Sequence, residues 1–228
     1  TKAPKQTNHL PAHGLFKMER SHPENDNKDD GGGGATGLSA IEAPLQPDGR
    51  PLYAHAIMAA LEGKVERLRE LFSTLAADGV SELISLNCWP DETTLLKATV
   101  AVGQVEAARF LLEQGANPDD NGGDGDVKSN DEYPRKAPLH LAVEQGHMEI
   151  VRLLVIEYGA NANTIDRNGG NPFHSACVTG HFEAAKFLVE EAKLDVNQPE
   201  GAGNTGLSWA VKQGHSDMAH WLVGIGAR

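Results

Sequence analysis

A glycine returns along this chain at positions 63, 103, 146, 180 and 214, each time between two short apolar stretches. The clearest example is the stretch from Ala137 to Asn163, APLHLAVEQGHMEIVRLLVIEYGANAN. Helical spacing puts Leu139, Ala142 and Val143 on one face of a helix over Pro138–Gln145. It lines up Ile150, Val151, Leu153, Leu154 and Val155 on a second helix over Met148–Tyr158. Gly146 turns the chain between them, because only glycine enters the left-handed region without steric cost, and Gly159 ends the second helix. Helices this short are marginal alone in water, so the unit must pack against copies of itself.

Those copies are present in register. The last two glycine intervals are 34 residues each and the first two are 40 and 43. His147, His181 and His215 directly follow the glycine, and APLHLA is echoed by NPFHSA at Asn171, TGLSWA at Thr205 and, more weakly, TLLKAT at Thr94. Second helices repeat as VEAARFLLEQGANP, MEIVRLLVIEYGANAN and FEAAKFLVEEAKLDVN. These residues resemble the ankyrin repeat, a pattern of about 33 residues with a T-P-L-H-x-A start, a Gly-His between helices and a G-A-D-x-N exit. The resemblance runs from about Pro51 to Ala227. It implies an all-α solenoid of about five helix-turn-helix units joined by hairpin loops. AHAIMA, at Ala54 to Ala59, lacks the Pro and His, as an N-terminal cap would.

Two regions follow from composition. Residues 1–40 read as a disordered tail, because they are rich in Asn, His, Pro and Gly and cannot bury enough apolar surface to offset chain entropy. Residues 41–228 read as the repeat domain. Within the tail, Leu10, Leu15, Phe16 and Met18 form an apolar cluster. Three readings stay open for it: an accidental cluster, a linear motif that docks in the chain's own groove or on another protein, or a foreign segment joined through Gly31–Gly34. A chain that opens on Thr1 is read as a processed fragment or an excised piece. No apolar run is long enough to cross a membrane as a helix, and Cys88 and Cys177 are read as reduced, mostly buried thiols, which suggests a cytoplasmic or nuclear setting.

Between Ala76 and Asn87 the exit is longer than the pattern expects, and an extra helical turn is predicted over Val80 to Leu86. The main insertion is Asp119 to Glu132, DDNGGDGDVKSNDE, with six acidic residues and one lysine. Its opening lacks the spacing of a calcium loop. It reads either as a solvated acidic loop or as a contact surface for a basic ligand.

Catalytic chemistry finds no constellation. His140 and His174 sit at the T-P-L-H histidine position, where the resemblance implies a side chain bonded to backbone of a neighbouring turn. Ser175, His174 and Ser208 lie in no G-x-S-x-G elbow and have no third partner. The tetraglycine lacks the G-K-[ST] of a phosphate loop, and no histidine or cysteine spacing suits a metal. The expectation is no enzyme, no cofactor and no metal.

Function is therefore sought on the surface. The resemblance implies a concave face of hairpin tips and first helices left open for partners. Taking the two residues before each glycine as groove-facing selects Leu61 and Glu62, Ala101 and Val102, Glu144 and Gln145, Val178 and Thr179, Lys212 and Gln213. Hairpin tips add Trp89, Asp91, Tyr133, Arg167 and Asn168, and the insertion adds Asp119, Asp120, Asp124 and Asp126. Trp209 stands where the pattern has a medium apolar residue. For Trp89, Tyr133 and Trp209, packing and contact roles both stay open.

Charge suggests the partner. The chain carries a net −12, and residues 1–34 hold five basic and five acidic residues, so the whole excess lies in residues 35–228. Such a surface repels nucleic acid and anionic membrane and favours basic peptides, although solubility alone also explains acidity. The expectation is a monomeric, non-enzymatic scaffold, adaptor or chaperone holding an extended basic segment. The alternative is an autoregulated targeting or switch region of a larger protein, with residues 10–18 as an internal ligand of the groove.

Overall fold

The structure is a computed structural model, and it describes residues 52–85, 94–120 and 136–228 of the 228-residue chain. Among the described residues there are helices and no strands: α1 (Leu52–Leu61), α2 (Val65–Ser73), α3 (Ala77–Ser85), α4 (Leu95–Val102), α5 (Val105–Glu113), α6 (Pro138–Gln145), α7 (Met148–Arg152), α8 (Pro172–Thr179), α9 (Phe182–Glu190), α10 (Gly206–Gln213) and α11 (Ser216–Gly224). Five antiparallel pairs result: α1–α2, α4–α5, α6–α7, α8–α9 and α10–α11. First helices pack on first helices in the order α1, α4, α6, α8, α10, and α2, α5, α7 and α9 pack in turn behind them.

The sequence rules set these boundaries. Pro138 and Pro172 occupy the first turn, where no N–H is needed. Thr94, Asn171 and Thr205 accept a backbone N–H as N-caps. Every first helix ends on a left-handed glycine, with φ between 68° at Gly63 and 81° at Gly180. Leu68, Leu111, Leu139, Ile150, Val151, Leu154, Phe173 and Leu188 lie fully buried in one continuous apolar core between the two layers of helices.

Three repeated hydrogen bonds lock the units in register. The side chain just after each glycine crosses to the previous unit and bonds the carbonyl two residues before that unit's glycine. Gln104 Nε2 donates to Leu61 O at 2.9 Å, His147 Nε2 reaches Ala101 O at 3.4 Å, His181 Nε2 reaches Glu144 O at 2.9 Å, and His215 Nε2 reaches Val178 O at 3.1 Å. This cross-brace also explains the glycines themselves: a Cβ on Gly146 would lie 2.6 Å from His181 Cε1. Second, the T-P-L-H histidines reach the next hairpin, with His140 Nε2 3.1 Å from Gly170 O and His174 Nε2 2.9 Å from Gln198 O. Burial holds both imidazoles below their usual pKa, so they stay neutral. Third, exit turns link backbone to side chain: Asn161 N donates to Asp119 Oδ1 and Arg228 N to Asn197 Oδ1, both at 2.8 Å.

Two expectations need correction. The extra turn after the first unit is a full helix, α3, over Ala77–Ser85, because Val80, Leu83 and Ile84 give it an apolar face. The second helix of the third unit is not α-helical throughout. From Leu153 to Glu157 it widens into a π-turn, whereas the fourth unit, which has the same one-residue excess over the second before its positive-φ Lys193, stays α-helical over Phe182–Glu190. Opening the ring by one residue keeps Leu153 and Leu154 buried and sends Ile156 to solvent. Glu157, beside it, forms a two-pronged pair with Arg109 of the previous unit, which lowers the Glu157 pKa and raises that of Arg109.

Candidate functional site

Between the third, fourth and fifth units, the first helices and hairpin tips line an open cavity of about 550 Å³. Its wall is built by helix geometry. Glu144 and Val178 lie two residues before their glycines, and Ser175 and Trp209 lie five before theirs; a separation of three residues puts such positions on one helix face. The hairpin tips supply Asp166, Asn168 and Gly170 from one turn and Glu200, Ala202 and Asn204 from the next.

Each tip is closed by a backbone bond, Asp166 N to Gly170 O and Glu200 N to Asn204 O, both at 2.9 Å. Neighbouring tips touch through glycine. Gly201 N donates to Asn168 O at 3.0 Å, and a Cβ on Gly169, which has φ of 74°, would lie 2.7 Å from Gly201 N. Gly170 also lines the cavity, but there an added Cβ would make only ordinary contacts, 3.5 Å from Asp166 Oδ1 and 3.7 Å from Glu200 Oε2.

Three carboxylates and one ammonium group line the space. Asp166 is spent on structure, accepting from Asn168 N at 2.9 Å and Gly170 N at 3.0 Å. Glu144 accepts from Lys136 Nζ at 2.5 Å and from Ser175 Oγ at 3.0 Å. Glu200 Oε1 takes the Asn204 amide at 2.7 Å. His174, also in the wall, is neutral, so the lining carries a net negative charge. Trp209 packs against the core, and Lys212 lies 4.4 Å over its ring. A cation of the chain itself thus already covers the Trp209 ring, and the carboxylates are the groups left to attract cationic ligands.

The sequence-selected residues divide along this geometry. Glu144, Asn168, Val178 and Trp209 are brought together in the cavity wall. Leu61 is half-buried against the core, and Ala101 is half-buried while its carbonyl takes a cross-brace. Glu62, Val102, Gln145, Thr179, Lys212 and Gln213 are exposed outside the lining, as is Arg167. Asp119 is half-buried, bonded through its carboxylate to Asn161, and Asp120 is half-buried beside it. Trp89, Asp91, Asp124, Asp126 and Tyr133 lie outside the described residues, as does the whole 1–40 tail. Lys136, Asp166, Gly170, Ser175, Glu200, Ala202 and Asn204 were not selected. Helical periodicity carries the signal for Ser175, because position five before the glycine shares a face with position two, whereas position one is turned away by about 100°.

Chemistry of other kinds has little to build on. Among the described residues no cluster of three or more His, Cys, Asp or Glu side chains is arranged to hold a metal, and no helix is long and apolar enough to cross a membrane. Burial pushes the Cys177 thiol up to about 12, which makes it an inert core group.

Among the described residues the fold is an all-helical solenoid of stacked helix pairs. Residues 121–200 and 139–228 match the sequence model of the family described as ankyrin repeats, three copies. The chain thus carries ankyrin repeats over residues 121–228, and such repeats generally serve as protein–protein interaction modules.

Proposed function

We propose that this protein is a non-enzymatic interaction module that holds a basic segment of a partner protein in the cavity between its third, fourth and fifth units, acting as scaffold, adaptor or chaperone. The observation that carries the reading is the net negative lining: Glu144, Asp166 and Glu200 against the single lining cation Lys136. Carboxylates within a shielded concavity attract cations more strongly than the same groups on an open surface. The acidic excess of residues 35–228 favours the same partner. A monomer in the cytoplasm or nucleus belongs to the same proposal.

The test is capture from cell lysate with residues 1–228, residues 35–228 and the full chain carrying Glu144→Lys and Glu200→Lys. The reading expects a basic protein on both wild-type baits and its loss from the double variant. Capture by the shorter bait alone would instead favour a tail that occupies the groove. A partner of any charge retained by the double variant would overturn the site.

A further inference from the structure

Among the described residues three buried polar side-chain atoms have no hydrogen-bond partner in the protein: His140 Nδ1, Thr164 Oγ1 and Trp209 Nε1. Neither His140 nor Thr164 belongs to the cavity lining. The His140 nitrogen is moreover an acceptor, because the other ring nitrogen donates to Gly170 O. Trp209 differs on both counts: it stands in the cavity wall, and an indole N–H can only donate. A buried donor left unpaired is costly, so one that persists calls for a reason.

Packing is not that reason. Five residues before the glycine the first three units carry Met58, Ala98 and Leu141, which fill the position with no N–H at all. Nor do the carboxylates nearby serve the indole. Glu144 Oε1 takes Lys136 and Ser175, Asp166 takes backbone N–H groups, and Glu200 Oε1 takes the Asn204 amide. Lys212 lies over the ring, 4.4 Å from its centroid, and is itself exposed. A cation–π contact at an exposed site is weak, so this part of the ring's cover moves easily.

We propose, resting on the reading of the cavity as the seat of a basic segment, that the segment is recognised by its backbone as well as by its charge. Lys212 swings off the ring, and Trp209 Nε1 donates to a main-chain carbonyl of the segment while a cationic side chain of the segment meets Glu200. Trp209 is thereby a specificity-determining residue. It separates an extended basic peptide, which has a carbonyl close to every cation, from a polyamine, which carries donors alone.

The probes are a heptapeptide alternating glycine with arginine, blocked at both ends, and spermidine, which has the same charge. Each is titrated into the full 228-residue chain. With the peptide, the indole N–H resonance of Trp209 is expected to move saturably downfield, and the Lys212 methylene resonances, held upfield by the ring, to return towards those of free lysine. Trp209→Phe keeps a ring without the donor. It is expected to weaken peptide binding about fivefold, the loss of one hydrogen bond, and to leave spermidine binding unchanged. Peptide binding that Glu200→Lys abolishes, with the indole resonance unmoved, would overturn this proposal and leave the cavity reading standing. Absence of saturable peptide binding would overturn both. Equal weakening of peptide and spermidine by Trp209→Phe would make Trp209 a packing residue and overturn the proposal too.

Discussion

Replacing His181 with alanine is predicted to cost about 2 kcal/mol of stability. The imidazole Nε2 lies 2.9 Å from Glu144 O, in the middle of the array, and the ring covers Gly146. A net hydrogen bond contributes about 1 kcal/mol. The lost ring contacts over Gly146 add a similar amount, near the low end for truncating a packed side chain. For a domain of this size each kcal/mol shifts Tm by about 2–4 °C, so a fall of roughly 4–8 °C is expected. His181→Gln should recover most of it, because Gln104 already makes the same bond between the first two units. Urea denaturation with amide exchange localises the effect, since in a stacked array damage is felt mainly at the interface concerned, here between α6–α7 and α8–α9. His215→Ala, at a more exposed brace, should cost less. A shift under about 1 °C for His181→Ala, or equal damage from the glutamine variant, would refute the cross-brace as a source of stability.

Three further outcomes follow from local geometry. Gly206 stands where the third and fourth units have Pro138 and Pro172, and a Cβ there would lie 2.4 Å from Phe173 Cε1 and 2.9 Å from Cys177 Sγ; Gly206→Ala is therefore expected to destabilise by about 1–3 kcal/mol in a thermal melt. Lys193 holds φ of 59° where the second, third and fifth units close with Gly115, Gly159 and Gly226, and Lys193→Gly should stabilise by about 0.5–1 kcal/mol in urea titrations. His140 and His174 have pKa values held below 6.5 by burial, so the unfolded chain binds protons more readily and stability falls as pH drops below about 6.5. Comparing melts at neutral and mildly acidic pH should show that slope, and it should flatten in His140→Gln.

Much of the fold can be read from residue order because its determinants are local. Pro138 at the start and Gly146 at the end bound α6 by rules of backbone sterics, and the structure places the helix between them. The π-turn shows the limit. The extra residue before Gly159 can be counted in the sequence, but whether the chain loops out or widens its helix depends on keeping Leu153 and Leu154 in the core. Gly206 is similar, since its need for a bare Cα comes from Phe173 and Cys177, which are distant in sequence and close only after stacking. In the cavity, register on the glycines picks out Glu144 and Val178, while Ser175 lies one turn earlier on the same helix face. Glu200 and Asn204 could be placed at a hairpin tip, yet their position facing Glu144 depends on how two tips stack through Gly169 and Gly201.

The account turns on the cavity taking a basic segment, and site-specific crosslinking tests this most directly. A photo-reactive amino acid is placed at Val178 in the cavity wall, with the same group at Ile156 on the exposed π-turn as control. After irradiation in lysate, the account predicts that Val178 marks peptides rich in Lys and Arg, that Ile156 does not, and that Glu200→Lys abolishes the products. Neutral or acidic peptides crosslinked through Val178, unchanged by Glu200→Lys, would contradict it.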